Sequence, residues 1–434
     1  MKKKISIFWF RRDLRLDDNR GLNEALKASF PVLPIFIFDD NITDDLDEDD
    51  ARITFIYDQI EKISIELKKD SCSLLCKKGD LKAVWSKLLK EYDIQEVYTN
   101  EDYEPYAIKR DLDIQNLLSE NSIDFKSYKD QVVFAKNDVL KKDNTPYTVF
   151  TPFKNRWISK LETDKSILEP YSINRDNFLK INSHFPSLES FNFKRSSIKV
   201  KAYRINNLDV YEETRNFPSL DKTSYLSPHL RFGTISIREI IQQSLSNECF
   251  LSELIWREFF MQIIYHFPEV VHSNFKRKYD NIEWRNNPEE FDKWKNGNTG
   301  YPIVDAGIRE LNATGYMHNR VRMVVAGFLC KHLLIDWRWG EAYFAEKLLD
   351  YELSSNNGNW QWASGTGCDS APYFRIFNPT EQVKKFDSKL IYINKWVPEL
   401  NLLNYPSPIV DHKYARTRAI EAYKKGILSS TTLL

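Results

Sequence analysis

Cysteine, glycine and proline are all scarce in this chain. Its 434 residues include five cysteines, and none has the C-x-x-C spacing of a zinc site. Their odd number argues against a disulfide framework, so we expect a cytoplasmic protein without a structural metal. The 13 glycines and 17 prolines give no collagen-like or disordered bias. The chain is therefore predicted to be globular.

Net charge and long apolar runs are missing too. Lys and Arg number 62, as do Asp and Glu, so a polyanionic partner would need a local basic patch. No stretch approaches the roughly 18 apolar residues of a membrane span. Residues 1–10 imitate a signal peptide, but Arg11 and Arg12 end the apolar run after about six residues. No membrane association is expected.

Short apolar runs alternate with amphipathic stretches in residues 1–128. This alternation predicts an α/β domain with a parallel, Rossmann-like sheet and helices on both faces. The predicted strands cover residues 5–10, 32–38, 73–76 and 96–99, and the predicted helices cover 21–28, 53–68, 81–92 and 106–118. The chain carries no G-x-G-x-x-G or Walker sequence there, so a standard dinucleotide or ATP site is not expected in this domain.

The rest of the chain divides into a connector and a helical domain. Residues 129–196 are mixed and polar, which predicts an interdomain connector with a short helix over 153–161. The period is helical afterwards and predicts an almost entirely helical domain over 197–434. Its main helices are expected over residues 237–245, 250–267, 303–311, 319–334 and 340–349. Residues 429–432 are expected to fray.

The helix predicted over residues 250–267 carries a mixed polar and aromatic face. The i, i+3, i+4 spacing puts Glu253, Trp256 and Arg257 on one side of it. A carboxylate, an indole and a guanidinium together are typical of a ligand site. The alternative is a surface ion pair beside a core indole.

The helix predicted from residue 319 begins with polar side chains and then becomes apolar. Asn319, Arg322 and Met323 share one face of it, and polar groups that enter a buried helix need partners. The amide suits a planar heterocycle, and the guanidinium suits a flavin or a carboxylate such as Asp350. An ordinary helix N-terminus is the alternative.

Two further segments predict backbone contacts to a ligand. Residues 350–362 are rich in Asn and Gly with two indoles, which predicts a loop that approaches a ligand closely. Thr223, Ser224 and Ser227 precede a predicted turn and helix and offer groups of the kind that hold pyrophosphate. Hydroxyl-rich helix caps are common, so this second pattern is weak by itself.

Four ordered motifs resemble those of the cryptochrome/photolyase family over essentially the whole chain. Residues 8–19 read FWFRRDLRLDDN and are similar to the family's W-F-R-x-D-L-R-x-x-D-N start. Residues 298–306 read NTGYPIVDA, residues 357–362 read NGNWQW and residues 371–379 read APYFRIFNP. The resemblance implies an α/β antenna domain followed by an all-helical domain that encloses FAD.

The resemblance also implies which residues hold FAD. Those matching the phosphate, ribityl and isoalloxazine contacts are Tyr211, Thr223, Ser224, Leu226, Ser227, Arg257, Asn319, Arg322, Asp350, Glu352 and Asn356. Asn356 matches the residue that faces flavin N5. Phe250 and Glu352 depart from the family, where many relatives have Trp and Asp. Trp360, Trp337 and Trp284 match a chain of indoles that carries electrons between flavin and surface.

A small set of positions separates repair enzymes from photoreceptors within the family. Glu253, Trp256, Asn319, Met323 and Trp362 match the substrate pocket of class I cyclobutane pyrimidine dimer photolyases, where two indoles pack against a flipped dimer. The chain lacks the paired histidines of (6-4) photolyases. Plant cryptochromes have Asp and Tyr at positions 319 and 362, and the DASH branch has Gln at 323. These differences favour repair.

The implied enzyme is a deoxyribodipyrimidine photo-lyase, a carbon-carbon lyase. Excited, fully reduced FAD passes an electron to the flipped dimer, the cyclobutane ring splits and the electron returns. Glu253 would hydrogen-bond the dimer edge, as preorganised polar groups do for developing charge. Arg215, Arg320 and Lys385 match positions that contact DNA phosphates, with Gln382 on the same rim. Solvated surface charge is the alternative for each basic residue.

The antenna chromophore and the partners follow from the same resemblance. Pro105-Tyr106-Ala107 stands where folate-binding relatives have V-N-E, so deazaflavin or FMN is favoured over folate. An empty crevice in the parallel sheet is the alternative. UV-damaged DNA is the expected partner, and the protein is expected to be a monomer. The competing function is a cryptochrome-type blue-light photoreceptor that repairs nothing.

Overall fold

A parallel sheet organises the N-terminal part of the chain. The computed structural model describes residues 2–431, with side chains through residue 429, and contains a five-stranded sheet of order β3-β2-β1-β4-β5 within them. The strands are β1 Lys4–Phe10, β2 Val32–Asp39, β3 Leu75–Gly79, β4 Asp93–Asn100 and β5 Asp124–Tyr128. Every neighbouring pair is parallel. The predicted parallel α/β fold is confirmed.

Both faces of this sheet are buried. Phe8 and Phe10 of β1 enter one hydrophobic cluster, whereas Ile7 and Trp9 enter another. Successive side chains of a strand point to opposite faces, so each face has its own core. This double burial explains why β1 and β2 are continuous apolar runs in the sequence.

The helices of the α/β part agree with the sequence pattern within a few residues. They are α1 Arg20–Lys27, α2 Asp40–Thr43, α3 Ala51–Lys69, α4 Leu81–Glu91 and α5 Pro105–Glu120. The pattern missed the short α2 and the edge strand β5, whose sequence DFKSY is mostly polar and partly exposed. It also placed β3 two residues early. Edge strands have one neighbour and weak apolar alternation, which removes the signal.

Helices dominate the remaining chain. They are α6 Phe150–Thr163, α7 Tyr211–Thr214, α8 Ser227–Arg231, α9 Ile237–Ser244, α10 Glu248–His266, α11 Pro288–Lys295, α12 Pro302–Thr314, α13 Asn319–Gly327, α14 Trp337–Lys347, α15 Leu353–Ser364, α16 Pro379–Phe386, α17 Ile391–Trp396 and α18 His412–Thr431. A π-helix, Phe328–Leu333, follows α13 directly. Residues 197–431 contain no strand, but long irregular stretches make "almost entirely helical" too strong. The helix α18 runs through most of the segment expected to fray, and residue 432 lies outside the described range.

The chain divides into two compact units. The first comprises Met1–Val139, Arg156–Ala202 and Leu226–Ser246, and the second comprises Leu140–Asn155, Tyr203–Tyr225 and Asn247–Leu434. The segment expected to be a connector is shared between them. Part of it is core, since Phe178 and Phe191 are buried in a cluster of the first unit. The boundaries at 128 and 196 stay a prediction.

A buried carboxylate joins separate segments of the first unit. Asp130 accepts hydrogen bonds from Arg15 at 2.5 Å and from Arg238 at 2.8 Å, and its side chain is fully buried. Burial alone would raise the pKa of Asp130, but the two guanidinium groups hold it below its usual value. Asp130 therefore stays charged and pins α9 to the loop after β1.

We expect Asp130→Asn to lower the free energy of unfolding by about 3–5 kcal/mol at pH 7, because two buried guanidinium groups lose a charged partner. Because the pKa of Asp130 is lower in the folded chain than in the unfolded chain, where it is about 3.9, the charged carboxylate stabilises the fold above that pH. This stabilisation is lost as the pH falls below about 3.9 and through the pKa of the folded chain. Urea unfolding at pH 7 and pH 3 measures both effects. Asp17→Asn, which changes a carboxylate with a 92% exposed side chain, is the control. An equal loss at both pH values would contradict this account.

Candidate active site

Helix α10 directs its polar side chains toward two other elements of the second unit. Asn247 caps the helix by accepting the Phe250 N–H at 2.8 Å. The Glu253 carboxylate lies 2.7 Å from Arg215, and Arg257 lies 3.0 Å from Glu352. Two residues of the polar face predicted from i, i+3, i+4 spacing, Glu253 and Arg257, therefore form ion pairs with other elements.

Arg215 is held on three sides. Besides Glu253, it donates to Cys249 Sγ at 2.8 Å and its guanidinium lies 5.2 Å from the Tyr211 ring centre. Burial lowers the pKa of Arg215, but Glu253 and Tyr211 outweigh it and raise the pKa above its usual range. The residue predicted to contact DNA phosphates is thus bound to the predicted catalytic carboxylate.

One face of the Trp256 indole is covered. Phe150 stacks on it at 3.7 Å with nearly parallel rings, and Phe260 lies 5.3 Å away at 32°. The indole itself is half-buried. The packing holds Trp256 rigidly while part of its surface stays accessible.

A bidentate ion pair links α13 to the residues that lead into α15. Arg322 donates to both Asp350 oxygens, at 3.1 and 2.9 Å, and its Nε donates to Met317 O at 2.8 Å. Burial lowers the pKa of Arg322, but Asp350 outweighs it and raises that pKa. The predicted Arg322–Asp350 pair is confirmed. Asn319, at the first position of α13, is exposed.

Residues 350–362 do not form the expected loop. They enter α15, and the amides of the helix bond neighbouring elements: Asn356 donates to Glu341 O at 3.0 Å, and Asn357 donates to Val270 O at 3.1 Å. Gly358 is needed because a Cβ there would lie 2.1 Å from the Phe260 ring. Tertiary hydrogen bonds and close packing override the weak helix propensity of Asn and Gly.

Glu341 is a partly buried carboxyl group beside these amides. Its Oε1 accepts a hydrogen bond from Asn357 at 3.2 Å, and its backbone carbonyl accepts the bond from Asn356. Burial raises the pKa of Glu341 to about 7, against the smaller lowering effect of Asn357. The side chain is therefore largely protonated in mildly acidic solution.

The three indoles predicted for electron transfer belong to the hydrophobic core of the second unit. Trp360 and Trp337 are almost completely buried, and Trp284 packs at the edge of the same cluster. Gly340 lets the Trp360 ring lie against α14, because a Cβ there would approach the ring to 2.1 Å. Trp337 Nε1 donates to Asn274 Oδ1 at 2.9 Å.

Met323 and Trp362 share an open cleft in the second unit. Its empty volume is about 350 Å³, solvent at the opening included. The lining residues are Met323, Gly327, Lys331, Trp362, Ala363, Ala371, Pro372, Arg375 and Phe377. Two of the five residues predicted to hold a flipped dimer, Met323 and Trp362, thus line one cleft, whereas Glu253, Trp256 and Asn319 are not among its lining residues.

The predicted phosphate-binding segment is divided by the fold. Thr223 and Ser224 lie in the second unit, where their carbonyls accept hydrogen bonds from Arg204. Leu226 and Ser227 belong to the first unit, at the start of α8. Their contact with a pyrophosphate stays a prediction.

Basic side chains gather around Phe386. The Arg320 guanidinium lies 4.4 Å and the Lys385 ammonium 5.2 Å from its ring centre. Burial lowers the pKa of Arg320, and the nearby charges of Arg215 and Arg375 lower it further. Gln382 is on the same helix as Lys385, and its Oε1 is buried without a partner among the described atoms. The contact of these side chains with DNA stays a prediction.

The residues around Asp350 fit FAD. Arg322 and Asp350 offer charge, and Asn356 offers an amide of the kind that suits a flavin. Ser354 Oγ is buried and makes no hydrogen bond to any described atom, as expected where a further polar group belongs. The donor set therefore agrees with the predicted cofactor.

Several residues of this site could not be found by motif. Phe150 stacks on Trp256 from 106 positions away, and nothing in its local sequence indicates this contact. Glu341 and Lys331 gain their properties only from burial. Arg375 lies in the APYFRIFNP motif, which could have identified it.

Between residues 2 and 431, no helix is long and apolar enough to cross a membrane. The same described range holds no group of three or more metal-ligating side chains.

Comparison with known families accounts for most of the chain. Residues 6–170 match the family described as DNA photolyase, and residues 250–404 match the FAD binding domain of DNA photolyase. A deoxyribodipyrimidine photo-lyase of Halobacterium salinarum is 34% identical over 97% of this chain and 99% of its own length.

Solved structures give the same result. The class III photolyase of Agrobacterium tumefaciens superposes with a TM-score of 0.87 at 32% identity, with 98% of each chain covered. An archaeal photolyase from Sulfolobus tokodaii, solved with two FAD molecules, gives a TM-score of 0.85 at 37% identity over 97% of this chain and 99% of that one.

We expect Glu341→Gln to remove a pH dependence of stability. The folded chain keeps the Glu341 proton up to pH about 7, whereas the unfolded chain releases it near 4.5, so stability falls as pH rises through this window. The free energy of unfolding of the variant, relative to that of the wild type, should rise by roughly 2–3 kcal/mol between pH 5 and pH 8. Chemical unfolding at several pH values measures it.

Glu346→Gln is the matched control for this prediction, since it changes an exposed carboxyl on the same helix. A constant difference between Glu341→Gln and the wild type across this pH range would show that Glu341 ionises normally.

Proposed function

The chain belongs to the photolyase/cryptochrome family, and from this premise we propose that it reverses cyclobutane pyrimidine dimers in DNA, using light and FAD. Relatives named deoxyribodipyrimidine photo-lyase match the chain over nearly its whole length, which supports this activity. The observation that carries the proposal is the cleft where Met323 faces the same cavity as Trp362. The class I assignment stays part of the proposal, because one similar structure is a class III photolyase.

We infer that FAD is held by the Arg322–Asp350 pair, by Asn356 and Ser354 of α15, and by the Arg257–Glu352 pair. FAD supplies the light-driven electron when it is bound. The residues of the second unit orient it: Asn319 extends the α13 contact, and Tyr211, Thr223 and Ser224 receive the phosphates and the ribityl chain. Trp360, Trp337 and Trp284 form the electron relay in this proposal.

The dimer occupies the cleft in our proposal, with Trp362 against one base and Met323 on the opposite wall. Glu253 bonds the carbonyl and N–H edge of the dimer, and Trp256 and Asn319 complete the pocket. Glu253 pairs with Arg215 at 2.7 Å, so a dimer that bonds Glu253 must replace or share that contact. Arg215 then becomes available to a phosphate or to the dimer itself.

Light-dependent reversal tests the function. The purified protein with reduced FAD is incubated with a thymine-dimer oligonucleotide under blue or near-UV light and in the dark, and the remaining dimer is measured. We expect reversal in the light alone. No reversal with reduced FAD bound would contradict the repair function and favour a photoreceptor.

Glu253→Gln should lower reversal per absorbed photon about tenfold or more, the order expected for the loss of a charge-assisted hydrogen bond of about 1.5–3 kcal/mol. Its matched control is Glu248→Gln, which changes a carboxylate with a 78% exposed side chain on the same helix. If both variants repair like the wild type, Glu253 has no role in the reaction.

Arg320→Ala and Lys385→Ala should weaken binding to damaged and undamaged DNA alike. Each is expected to reduce the slope of log K against log salt by about 1, since each contacts one phosphate in this proposal. Fluorescence anisotropy at several salt concentrations measures the slope. Lys425→Ala, on an exposed lysine that pairs with Glu283, is the control. An unchanged slope would remove these residues from the DNA surface.

We further infer an antenna chromophore of the deazaflavin or FMN type in the first unit. Tyr106 replaces a residue of the folate motif, and its hydroxyl bonds Asp39 at the end of β2. Mass spectrometry of the small molecules released by denaturation should find FAD and a second flavin or deazaflavin. Folate would contradict the inference. A monomeric state and a cytoplasmic location belong to the same proposal.

A further inference from the structure

Asp369 is a carboxylate that no role described so far requires. It lies in the loop after α15, and its Oδ2 accepts a hydrogen bond at 3.0 Å from the N–H of Phe150, 219 positions away in the chain. Phe150 is the first residue of α6, and both residues belong to the second unit. The first N–H groups of a helix have no partner within it, and its N-terminus favours negative charge. Asp369 therefore supplies from a distant segment the partner that the start of α6 needs.

Phe150 is the residue that this hydrogen bond fixes. Its side chain is only 6% exposed, and its ring stacks on the Trp256 indole with centres 3.7 Å apart and an angle of 8° between the planes. The same ring meets Phe259 edge to face at 5.8 Å. One face of Trp256 is thus closed by Phe150, so the indole can offer a ligand only the surface that remains.

The loop that carries Asp369 is held in place at several points. The N–H groups of Thr366 and Gly367 both donate to Gln361 O at 3.0 Å, near the end of α15. Lys276 bonds the loop twice, through its N–H to Thr366 O at 3.0 Å and through Nζ to Ser370 Oγ at 3.1 Å. The Asp369 carboxylate therefore projects from a well-supported loop.

These contacts connect the two indoles that are expected to hold the dimer. Trp362 lies in α15, which leads directly into the loop with Asp369. Asp369 bonds Phe150, and Phe150 stacks on Trp256. The position of Trp256 relative to the segment that carries Trp362 thus depends on one hydrogen bond to a backbone N–H.

We propose that Asp369 is a positioning residue for dimer recognition, which holds Phe150 against Trp256 and so fixes the indole that a flipped dimer meets. The inference rests on the proposed function, in which Trp256 belongs to the dimer pocket. Asp369 acts through Phe150. Undamaged DNA has no flipped dimer to meet Trp256, so the loss of Asp369 should weaken binding to damaged DNA alone.

Binding in the dark to a duplex with a thymine dimer and to the same duplex without it tests the proposal. The FAD-loaded Asp369→Ala variant should bind the damaged duplex about fivefold more weakly, the factor that corresponds to one helix cap, and the undamaged duplex unchanged. Asp369→Asn keeps an acceptor oxygen and should restore most of the affinity. Phe150→Leu should weaken binding to the damaged duplex as Asp369→Ala does. Fluorescence anisotropy at constant salt measures both affinities.

Asp411→Ala is the matched control. Asp411 directly precedes α18, in the same unit, and its carboxylate accepts the Tyr414 N–H at 2.9 Å. This variant therefore loses a carboxylate bond to a helix N-terminus that carries none of the proposed dimer contacts. It should leave the ratio of the two affinities at the wild-type value, and urea unfolding compares the stability that each variant loses.

Nuclear magnetic resonance of protein labelled with [15N]tryptophan tests the contact without DNA or light. Trp256→Phe identifies the Nε1–H signal of Trp256, whose position depends on the aromatic ring stacked against the indole. Asp369→Ala and Phe150→Leu should move this signal, whereas Asp369→Asn and Asp411→Ala should not. If Asp369→Ala does not fold, Asp369→Glu, whose carboxylate is displaced by one methylene, takes its place and should also move the signal and weaken dimer binding.

The proposal is overturned if Phe150→Leu moves the Trp256 signal and weakens dimer binding while Asp369→Ala does neither, because Phe150 then keeps its place without Asp369. Equal weakening on damaged and undamaged DNA would also overturn it, since the effect would be a general loss of structure. A wrong dimer pocket gives a different result: Trp256→Leu would bind the damaged duplex as tightly as the wild type, which would contradict the proposed function and, with it, the role of Asp369 in recognition.

Discussion

The bidentate ion pair between Arg322 and Asp350 is the interaction on which the rest of the site depends. It joins the first turn of α13 to the residues that lead into α15, and these two helices carry Met323 and Trp362, which both line the cleft. Removal of one partner would leave a buried charge unpaired. The same pair supplies charged groups where FAD is expected, so fold and cofactor binding depend on one contact.

The sequence predicted the parallel sheet because its central strands are buried on both faces, as the separate environments of Phe8 and Trp9 show. It missed β5, whose polar residues at the sheet edge carry no apolar alternation. It also misjudged α15. Local propensity favours a loop there, and the hydrogen bonds of Asn356 and Asn357 to other elements, which reverse that preference, cannot be deduced from neighbouring residues.

The sequence likewise predicted some features of the candidate site and missed others. Helical spacing brought Glu253, Trp256 and Arg257 to one face, and chemistry predicted that Arg322 would pair with Asp350. Spacing could not reveal that Arg215 holds Glu253, because their contact depends on how two elements pack. A sequence motif does not show how deeply a side chain is buried. The raised pKa of Glu341 and the lowered pKa of Lys331 therefore could not be predicted from the sequence.

The central claim is that the cleft between Met323 and Trp362 receives a pyrimidine dimer and that Glu253 then exchanges Arg215 for the dimer. A crystal structure of the FAD-loaded protein with a duplex containing a thymine dimer tests it most directly. The account predicts a dimer outside the base stack, in contact with Trp362, with Glu253 on its polar edge and the 2.7 Å contact to Arg215 replaced or shared. A dimer that stays stacked in the duplex, with Glu253 still bound to Arg215 alone, would contradict the account.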